Sequence, residues 1–493
     1  MGIYLGLDLG TTTISAVARD ASSGAALATV TLPNSARPAA AAPGRAELDL
    51  AALGALATRA LGDLAGRLGA RSAAVAGLGV TGQMHGLALL SPEGRPLGPA
   101  ITWQDERALA PAPPAGAVTA AGAPAAETVL ARFLRQAGGL AALSRLGCRP
   151  AAGYAGVTLY ALALEGALPA RPALACTIPD SMVSFLSGAA PHSDPTDAAS
   201  TGLYDVVAAR WDVALARRLG LPAALLPPVR PSGSVAGGLR GPVAAECGLR
   251  AGLPVHTALG DNQAAYLGSV AAPEGTLLLN VGTGAQISAW RAEFAALPGV
   301  EARPLPGGGY LLVGAGLSGG RSYALLAGLF RQAGEALCGA RVSEAALYAR
   351  LNALAAEVAP GADGLVCAPW FAGSRRDPAL RASFSGLTAA NLTPGHLARA
   401  LLEGLANDLA TFHAEMAPAL PPARRLVGAG NAVRSNRVLR EALAGRFGLP
   451  LAVPACAEPA AAGAALLAAV SSGEIATLGE AMARVHYVEG EEG

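Results

Sequence analysis

Two short stretches, one at the start of the chain and one past its middle, share a pattern that narrows the choice of fold more than any other feature. In the first, Tyr4-Leu5-Gly6-Leu7-Asp8-Leu9 leads into Gly10-Thr11-Thr12-Thr13 and then Ile14-Ser15-Ala16-Val17-Ala18. In the second, Leu277-Leu278-Leu279-Asn280-Val281 leads into Gly282-Thr283-Gly284 and then Ala285-Gln286-Ile287-Ser288-Ala289-Trp290. Each reads as strand, glycine turn, strand. In register, Asp8 matches Asn280, Gly10 matches Gly282 and Thr11 matches Thr283. An internal repeat of this kind predicts two similar halves. A length of 493 residues also exceeds what a single core usually supports. The turn-rich stretch 221–241, with Pro227-Pro228, Pro231-Ser232-Gly233 and Gly237-Gly238, lies between the halves. We place the boundary a little beyond it, giving domains 1–251 and 252–493. Helical periodicity at 48–68, 129–136, 321–337, 393–413 and 436–447, interspersed with strands, indicates an α/β architecture. The Pro/Ala/Gly-rich pieces 33–45 and 110–126 read as surface loops.

The kind of site such halves can form is limited by composition. There is no lysine, so all 36 basic residues are arginine. That excludes a P-loop, whose lysine holds the phosphates, and Schiff-base chemistry through lysine. A nucleotide here must be held by backbone N–H groups, hydroxyls, arginine or a metal ion. Hydrophobic residues make up 52% and charged residues 14%, which favours a compact globular protein. Much of the apolar share is alanine, and the longest uncharged runs, 459–473 and 275–290, are broken by Gly, Ser, Thr or Asn, so no membrane span is expected. The first eight residues lack a basic region and a cleavage site; they read as a strand rather than a secretory signal. Six cysteines without a close pair argue against a zinc site or a disulfide framework and suit a reducing cytoplasm, where we expect the protein. A net charge of +1 with no basic cluster gives no case for nucleic acid or an anionic membrane.

Paired Gly-Thr hairpins suit phosphate binding, because a glycine turn lets backbone N–H groups approach an anion and threonine hydroxyls add donors. Asp8, on the strand before the first turn, suits Mg²⁺, directly or through water. An ordinary hairpin accounts for either copy alone; two copies, one per half, are what an ATP clamp needs. Gly79-Val80-Thr81-Gly82-Gln83-Met84-His85-Gly86 ends an apolar run in a polar cluster, where Gln83 and His85 are placed to bond a polyol, or His85 to serve structure. Thr102-Trp103-Gln104-Asp105-Glu106-Arg107 offers an aromatic face beside donors and acceptors, as a sugar site or as a surface loop. In Gly260-Asp261-Asn262-Gln263, Asp261 suits a base that takes a hydroxyl proton, or a helix N-cap, or both. Gly428-Ala429-Gly430-Asn431, with Ser435-Asn436 beyond, is a strand running into a glycine turn, fit for adenine or ribose or simply a β-to-α turn. Two rival motifs overlap at 314–320. One is GxGxxG with Glu335 at a ribose-binding distance, and the other is a GxSxG nucleophile elbow at Ser318 followed by His396, His413 and His486.

Together these residues resemble the FGGY carbohydrate kinases over nearly the whole chain. Asp8-Leu9-Gly10-Thr11-Thr12 is similar to the family's first phosphate loop and Gly282-Thr283-Gly284 to its second. Gly44-Arg45-Ala46-Glu47-Leu48-Asp49 resembles the acidic segment opening its early helix, and Gly428-Ala429-Gly430-Asn431 its adenosine motif. Thr81-Gly82-Gln83-Met84-His85-Gly86 resembles the xylulokinase-like branch. Within that branch Thr102-Trp103-Gln104-Asp105, Thr177-Ile178-Pro179-Asp180 and Gly260-Asp261-Asn262-Gln263-Ala264 are closer to sedoheptulokinases, whereas Gly153-Tyr154-Ala155 stands where a Gly-Cys-Ala run is expected and Ala429 where a glycine is usual. The resemblance implies two ribonuclease-H-like, actin-like ATPase domains closing over a cleft, with sugar mainly on the first and ATP mainly on the second. It implies ATP and Mg²⁺ as cofactors, Asp261 as base and Asp8 as the magnesium residue. The sugar contacts would be Gln83, Met84, His85, Trp103, Asp105 and Asn262. The nucleotide contacts would be Gly10, Thr11, Thr12, Thr13, Gly282, Thr283, Gly284, Gly319, Gly428, Gly430, Asn431 and Asn436. The expected reaction is phosphorylation of sedoheptulose at its terminal hydroxyl by a monomer or homodimer. The alternatives are xylulose or another sugar or polyol; from other classes, an actin- or chaperone-like ATPase or a serine hydrolase. Hydrogen-bond matching is the argument for the longer sugar, since Gln104 and Gln263 each bring a donor and an acceptor beside the proposed contacts.

Overall fold

Around Gly10-Thr11-Thr12 the strands Ile3–Leu9 and Thr13–Asp20 pair antiparallel, with Leu9 opposite Ile14. Leu5, Leu7, Leu9 and Ile14 are fully buried, so the hairpin is held by its apolar side chains as well as its ladder. A computed structural model describes residues 2–37, 42–113, 127–316, 318–374, 377 and 379–488. Parts of the two expected surface loops (38–41 and 114–126), Leu317 of the elbow motif and the tail 489–493 lie outside the described residues. A third antiparallel strand, Ala26–Pro33, extends the hairpin on one side. On the other, Val75–Gly82 pairs parallel with Ile3–Leu9, and Pro254–His256 pairs parallel with Val75–Gly82.

The second half repeats this order. Thr276–Val281 and Ala285–Arg291 form the hairpin, with Val281 opposite Ala285, and Tyr310–Gly316 is the third antiparallel strand. Arg425–Ala429 pairs parallel with the hairpin's first strand, and Leu451–Ala452 follows it, also parallel. The short match between Asp8-Leu9-Gly10-Thr11 and Asn280-Val281-Gly282-Thr283 is therefore a repeat of topology. It gives the two-domain, actin-like α/β architecture expected.

Local capping explains the helix boundaries. Asp49 accepts from the Ala51 and Ala52 N–H groups and starts Leu50–Leu68; Thr128 starts Val129–Gln136, Thr393 starts Pro394–Met416 and Asn436 starts Arg437–Phe447. Between the parallel strands of the first sheet the chain builds a separate core around Phe133, Leu146, Val157, Tyr160 and Leu215. Two further helices, Asp261–Ser269 and Pro459–Ser471, lie between the sheets. Both are nearly fully buried and rich in small residues. A Cβ on Gly6 would stand 1.7 Å from the Ala461 carbonyl oxygen, and one on Gly79 2.1 Å from that of Ala464, so the alanine-rich helix rests directly on the first sheet. The uncharged run 459–473 is thus an interdomain helix. Among the described residues no helix is long and apolar enough to cross a membrane.

The boundary expected at 251/252 falls before the last strands of the first sheet. Pro254–His256 and Leu259–Gly260 both pair with Val75–Gly82, so they complete the first sheet. The chain passes to the second sheet through Asp261–Ser269, and Pro459–Ser471 returns to cover the first. Turn composition marked the end of the inserted lobe; the last strands of the first sheet come after it.

Candidate active site

Strand register brings the candidate residues together. Leu9 lies opposite Gly82 and Gly82 opposite Gly260, all in parallel pairing, so three strands end side by side. Beyond those ends lie Gly10-Thr11-Thr12, Gln83-Met84-His85 and Asp261. The carboxyl ends of adjacent parallel strands are where open α/β sheets bind ligands.

Asp8 and Asp261 act on each other electrostatically across this line. Burial, then Asp261 and Glu458, push the Asp8 carboxyl well above its usual range, and its Oδ1 has no hydrogen-bond partner. Burial raises Asp261 to about 6, an effect partly offset by the Arg303 guanidinium and by the helix's first amides. Gly260 is the cap residue and Asp261 the first helical residue, its carboxyl accepting from the backbone amides of Asp261 and Asn262. The cap position weighed for Asp261 thus belongs to Gly260, while the Asp261 carboxyl still meets the helix's first amides. Two carboxyls pushed up in this way fit a divalent cation that arrives with phosphate. Mg²⁺ usually takes one or two carboxylates plus substrate oxygens, and Asp8, with its Oδ1 unpartnered, is a carboxylate available for it.

Gln83 is 2% exposed, and both ends of its amide are unpartnered. Met84 packs on Gly260, and its sulfur lies 3.7 Å from Arg303 Nη1. His85 holds a left-handed backbone, φ 73°, uncommon without glycine. Its N–H donates to Ser200 Oγ at 3.1 Å, its Nδ1 meets the Ser200 carbonyl at 2.9 Å, and its ring stacks on Tyr154 at 3.9 Å. Trp103 Nε1 donates to Thr11 Oγ1 at 3.0 Å, tying the aromatic segment to the first phosphate hairpin. Asn262 donates to Gln286 and Ser288 of the second hairpin, leaving its Oδ1 unpartnered.

Asp105 is placed differently from expectation. It is 1% exposed, and its two oxygens accept from the Arg107 guanidinium and from the backbone of Ala46 and Arg107, while Arg107 also pairs with Glu47. That network ties the Trp103 segment to the strand at Glu47 and engages both oxygens of the carboxylate expected to meet sugar. Gln104 is exposed and accepts from Arg37 at 3.2 Å, so it supplies nothing to a buried hydroxyl. Gln263 is fully buried, with Nε2 on the Pro304 carbonyl and Oε1 unpartnered.

On the nucleotide side, Asn34 ties the first turn by donating from its side chain to the Gly10 carbonyl and from its backbone to that of Thr12. Thr12 and Thr283, at the two turns, are exposed, while Thr13 begins the second strand. The second turn is braced by a helix start: Gly320 N–H donates to Gly282 O and Arg321 N–H to Thr283 O. Gly319 lies so close that a Cβ there would meet the Gly284 carbonyl carbon at 2.4 Å. Gly428 and Gly430 end the parallel strand beside Asn280, with Gly430 at φ 87°, and exposed Asn431 follows. Asn436 is spent elsewhere: Oδ1 caps Arg437–Phe447 and Nδ2 donates to Asn352. These bonds hold it at the start of that helix, beside the nucleotide loop.

The rival motifs lose their partners. Ser318 is buried and donates to the Pro369 carbonyl. His396 engages Thr393 and Asp363, His413 packs on Phe447, and His486 meets the Ser23 carbonyl. Glu335 sits on the helix Gly320–Cys338, ion-paired with Arg331, away from any strand end. Sequence reasoning missed Tyr154, Ser200, Glu301 and Arg303. Tyr154 was visible only as a departure from the family run, and the other three carry no local signal.

Models of the FGGY family of carbohydrate kinases match this chain, the N-terminal domain at residues 3–112 and 169–268 and the C-terminal domain at 308–472. Human sedoheptulokinase is 29% identical over 422 residues, 80% of each chain. A glycerol kinase from Thermus brockianus is 34% identical over 303 residues, 59% of this chain and 57% of that one. The crystal structure of xylulose kinase from Rhodospirillum rubrum matches with a TM-score of 0.81 and 28% identity, covering 99% of this chain and 93% of that one. Kinases of this family use ATP, typically with Mg²⁺. The chain belongs to the FGGY family of carbohydrate kinases and is a carbohydrate kinase.

Proposed function

We propose that the protein transfers the γ-phosphoryl group of ATP to the terminal hydroxyl of a ketose, with Asp261 as general base. The acceptor oxygen bonds to the γ-phosphorus, the bond to the β–γ bridging oxygen breaks, ADP leaves and the hydroxyl proton passes to the Asp261 carboxylate. The observation that carries this reading is the alignment of three strand ends, which sets Asp261, raised to about 6, beside Asp8 and near unpartnered Gln83. A base poised just below neutrality is ionised at working pH and still accepts a proton. Phosphoryl transfer needs mostly alignment and charge neutralisation. The two Gly-Thr turns supply backbone N–H groups to the phosphates. Mg²⁺, held at Asp8, would supply neutralisation of phosphate charge. Sugar would sit mainly against the first domain and ATP mainly against the second.

Among ketoses we propose sedoheptulose. Support comes from the Trp103, Asp180 and Asp261 segments and from the human sedoheptulokinase, which aligns over most of both chains. Of the two amides, Gln263 alone is placed to match an extra hydroxyl, since Gln104 faces solvent. The test is ADP release under identical Mg-ATP with sedoheptulose, xylulose, ribulose, fructose and glycerol. Highest kcat/KM for sedoheptulose is expected; a clear preference for xylulose or glycerol replaces the sugar, and no sugar-dependent ADP release overturns the reading.

A further inference from the structure

Arg303 lies outside every motif singled out in the sequence. It sits on Glu301–Pro304 at the edge of the second sheet, yet its side chain, 4% exposed, is buried against residues of the first domain. Nε and Nη2 both donate to Glu301 Oε2, at 2.8 and 2.6 Å. Glu301 Oε1 in turn accepts from the Tyr154 hydroxyl at 2.9 Å and the Arg149 N–H at 3.2 Å. Nη1 is different. Among the described residues it has only the Met84 sulfur, 3.7 Å away, and a thioether is a weak acceptor. A buried cationic donor left without an oxygen partner is costly.

The surroundings indicate what would supply that oxygen. Met84 stands between Gln83 and His85 and packs on Gly260, the residue before Asp261. The same guanidinium partly offsets the burial of Asp261. Gln83 is unpartnered at both ends in the same neighbourhood. The Nη1 donors therefore face the place where the acceptor sugar would lie. A guanidinium can only donate, and a carbonyl oxygen can only accept, whereas a hydroxyl brings a donor that itself needs a partner. A carbonyl therefore satisfies Nη1 outright, whereas a hydroxyl must also place its own proton on a further acceptor such as Gln83 Oε1.

We propose that Arg303, through Nη1, binds the carbonyl oxygen of an open-chain ketose and is the residue that makes this site favour a ketose over the corresponding polyol. This rests on the kinase reading with Asp261 as base, and it names the group that separates two acceptor classes.

The experiment compares kcat/KM for xylulose and arabinitol, which differ only at the carbonyl carbon, and for sedoheptulose and volemitol. Wild type and Arg303→Met are measured under the same Mg-ATP. The ketose-to-polyol ratio is expected to exceed ten in the wild type and to fall at least tenfold in the variant, mainly through KM. Arg303→Met leaves Glu301 charged and buried, so Glu301→Gln/Arg303→Met, which removes both charges, keeps the comparison valid if the single variant unfolds. An equal loss on ketose and polyol makes Arg303 a structural ion-pair residue and overturns the inference alone. A wild type active on polyols and inactive on every ketose overturns the ketose reading and this inference together.

Discussion

Asp261 carries a conflict between chemistry and stability that can be measured. Burial raises its carboxyl from 3.8 to about 6. Across that window the unfolded chain releases the proton before the folded protein does, so this residue's contribution to stability falls as pH rises and stays lower above pH 6. Asp261→Asn is therefore expected to raise Tm at pH 8 and to leave it nearly unchanged near pH 3, where the carboxyl is mostly neutral in both the folded and the unfolded chain. The same variant should lower kcat about a hundredfold or more with ATP binding nearly intact. In the wild type, kcat should fall about tenfold per pH unit below about 6. A folded Asp261→Asn with near-normal turnover removes this residue from the mechanism. Ser318 gives the opposite expectation. Its hydroxyl is engaged with the Pro369 carbonyl, so Ser318→Ala should keep most kinase activity, and a fluorophosphonate probe should leave the wild type unlabelled. Labelling at Ser318 would reinstate the nucleophile elbow.

At the scale of elements, the two helices between the sheets depend on close backbone approach. Gly463 meets the Ala264 carbonyl oxygen, 1.9 Å from where a Cβ would stand, and that oxygen is backbone and cannot rotate away. Gly445, on the exposed face of the helix Arg437–Phe447, has nothing within 4 Å. One substitution should then have opposite signs at the two sites. Gly463→Ala is expected to cost about 1–3 kcal/mol through overpacking, and Gly445→Ala to stabilise by up to about 1 kcal/mol through helix propensity. Guanidinium midpoints of the two variants check both. An unchanged midpoint for Gly463→Ala would mean that the helices separate freely, contrary to their fully buried contact.

For the whole molecule, the exchange of elements between halves predicts how the chain can be cut. A fragment ending at 251 lacks Pro254–His256 and Leu259–Gly260, which pair with Val75–Gly82, and the helix Pro459–Ser471, which covers that sheet. It exposes a bare sheet face and an unpaired edge, both liabilities in water. Residues 1–251 alone are expected to bind a hydrophobic dye and to lose near-UV circular dichroism, and mixing with 252–493 should restore both signals. A fragment 1–251 with native near-UV signal and no dye binding would show that the first domain folds without those elements.

Much of the fold was legible because its rules are local. Alternating apolar residues around Gly10 and Gly282 specify hairpins, and Asp49, Thr128, Thr393 and Asn436 mark helix starts by bonding amides two or three residues away. The absence of lysine excluded whole classes of phosphate site before any geometry was known. What a side chain has left to offer was not legible. Asp105 and Asn436 have the right chemistry for ligands, but folding spends them on Arg107 and on a helix cap. Gln83 and Arg303 show nothing special in the chain, yet burial leaves the Gln83 amide and Arg303 Nη1 without oxygen partners. The meeting of Asp8 with Asp261 follows only from the register of Val75–Gly82, which pairs with the strand that carries Asp8 and with the strand Leu259–Gly260 that runs into Asp261. The sequence by itself determined the two halves, their hairpins and the stock of groups available for chemistry. Tertiary structure decided which of those groups remain unpaired at the cleft, because pairing depends on neighbours that long-range strand register and burial bring together.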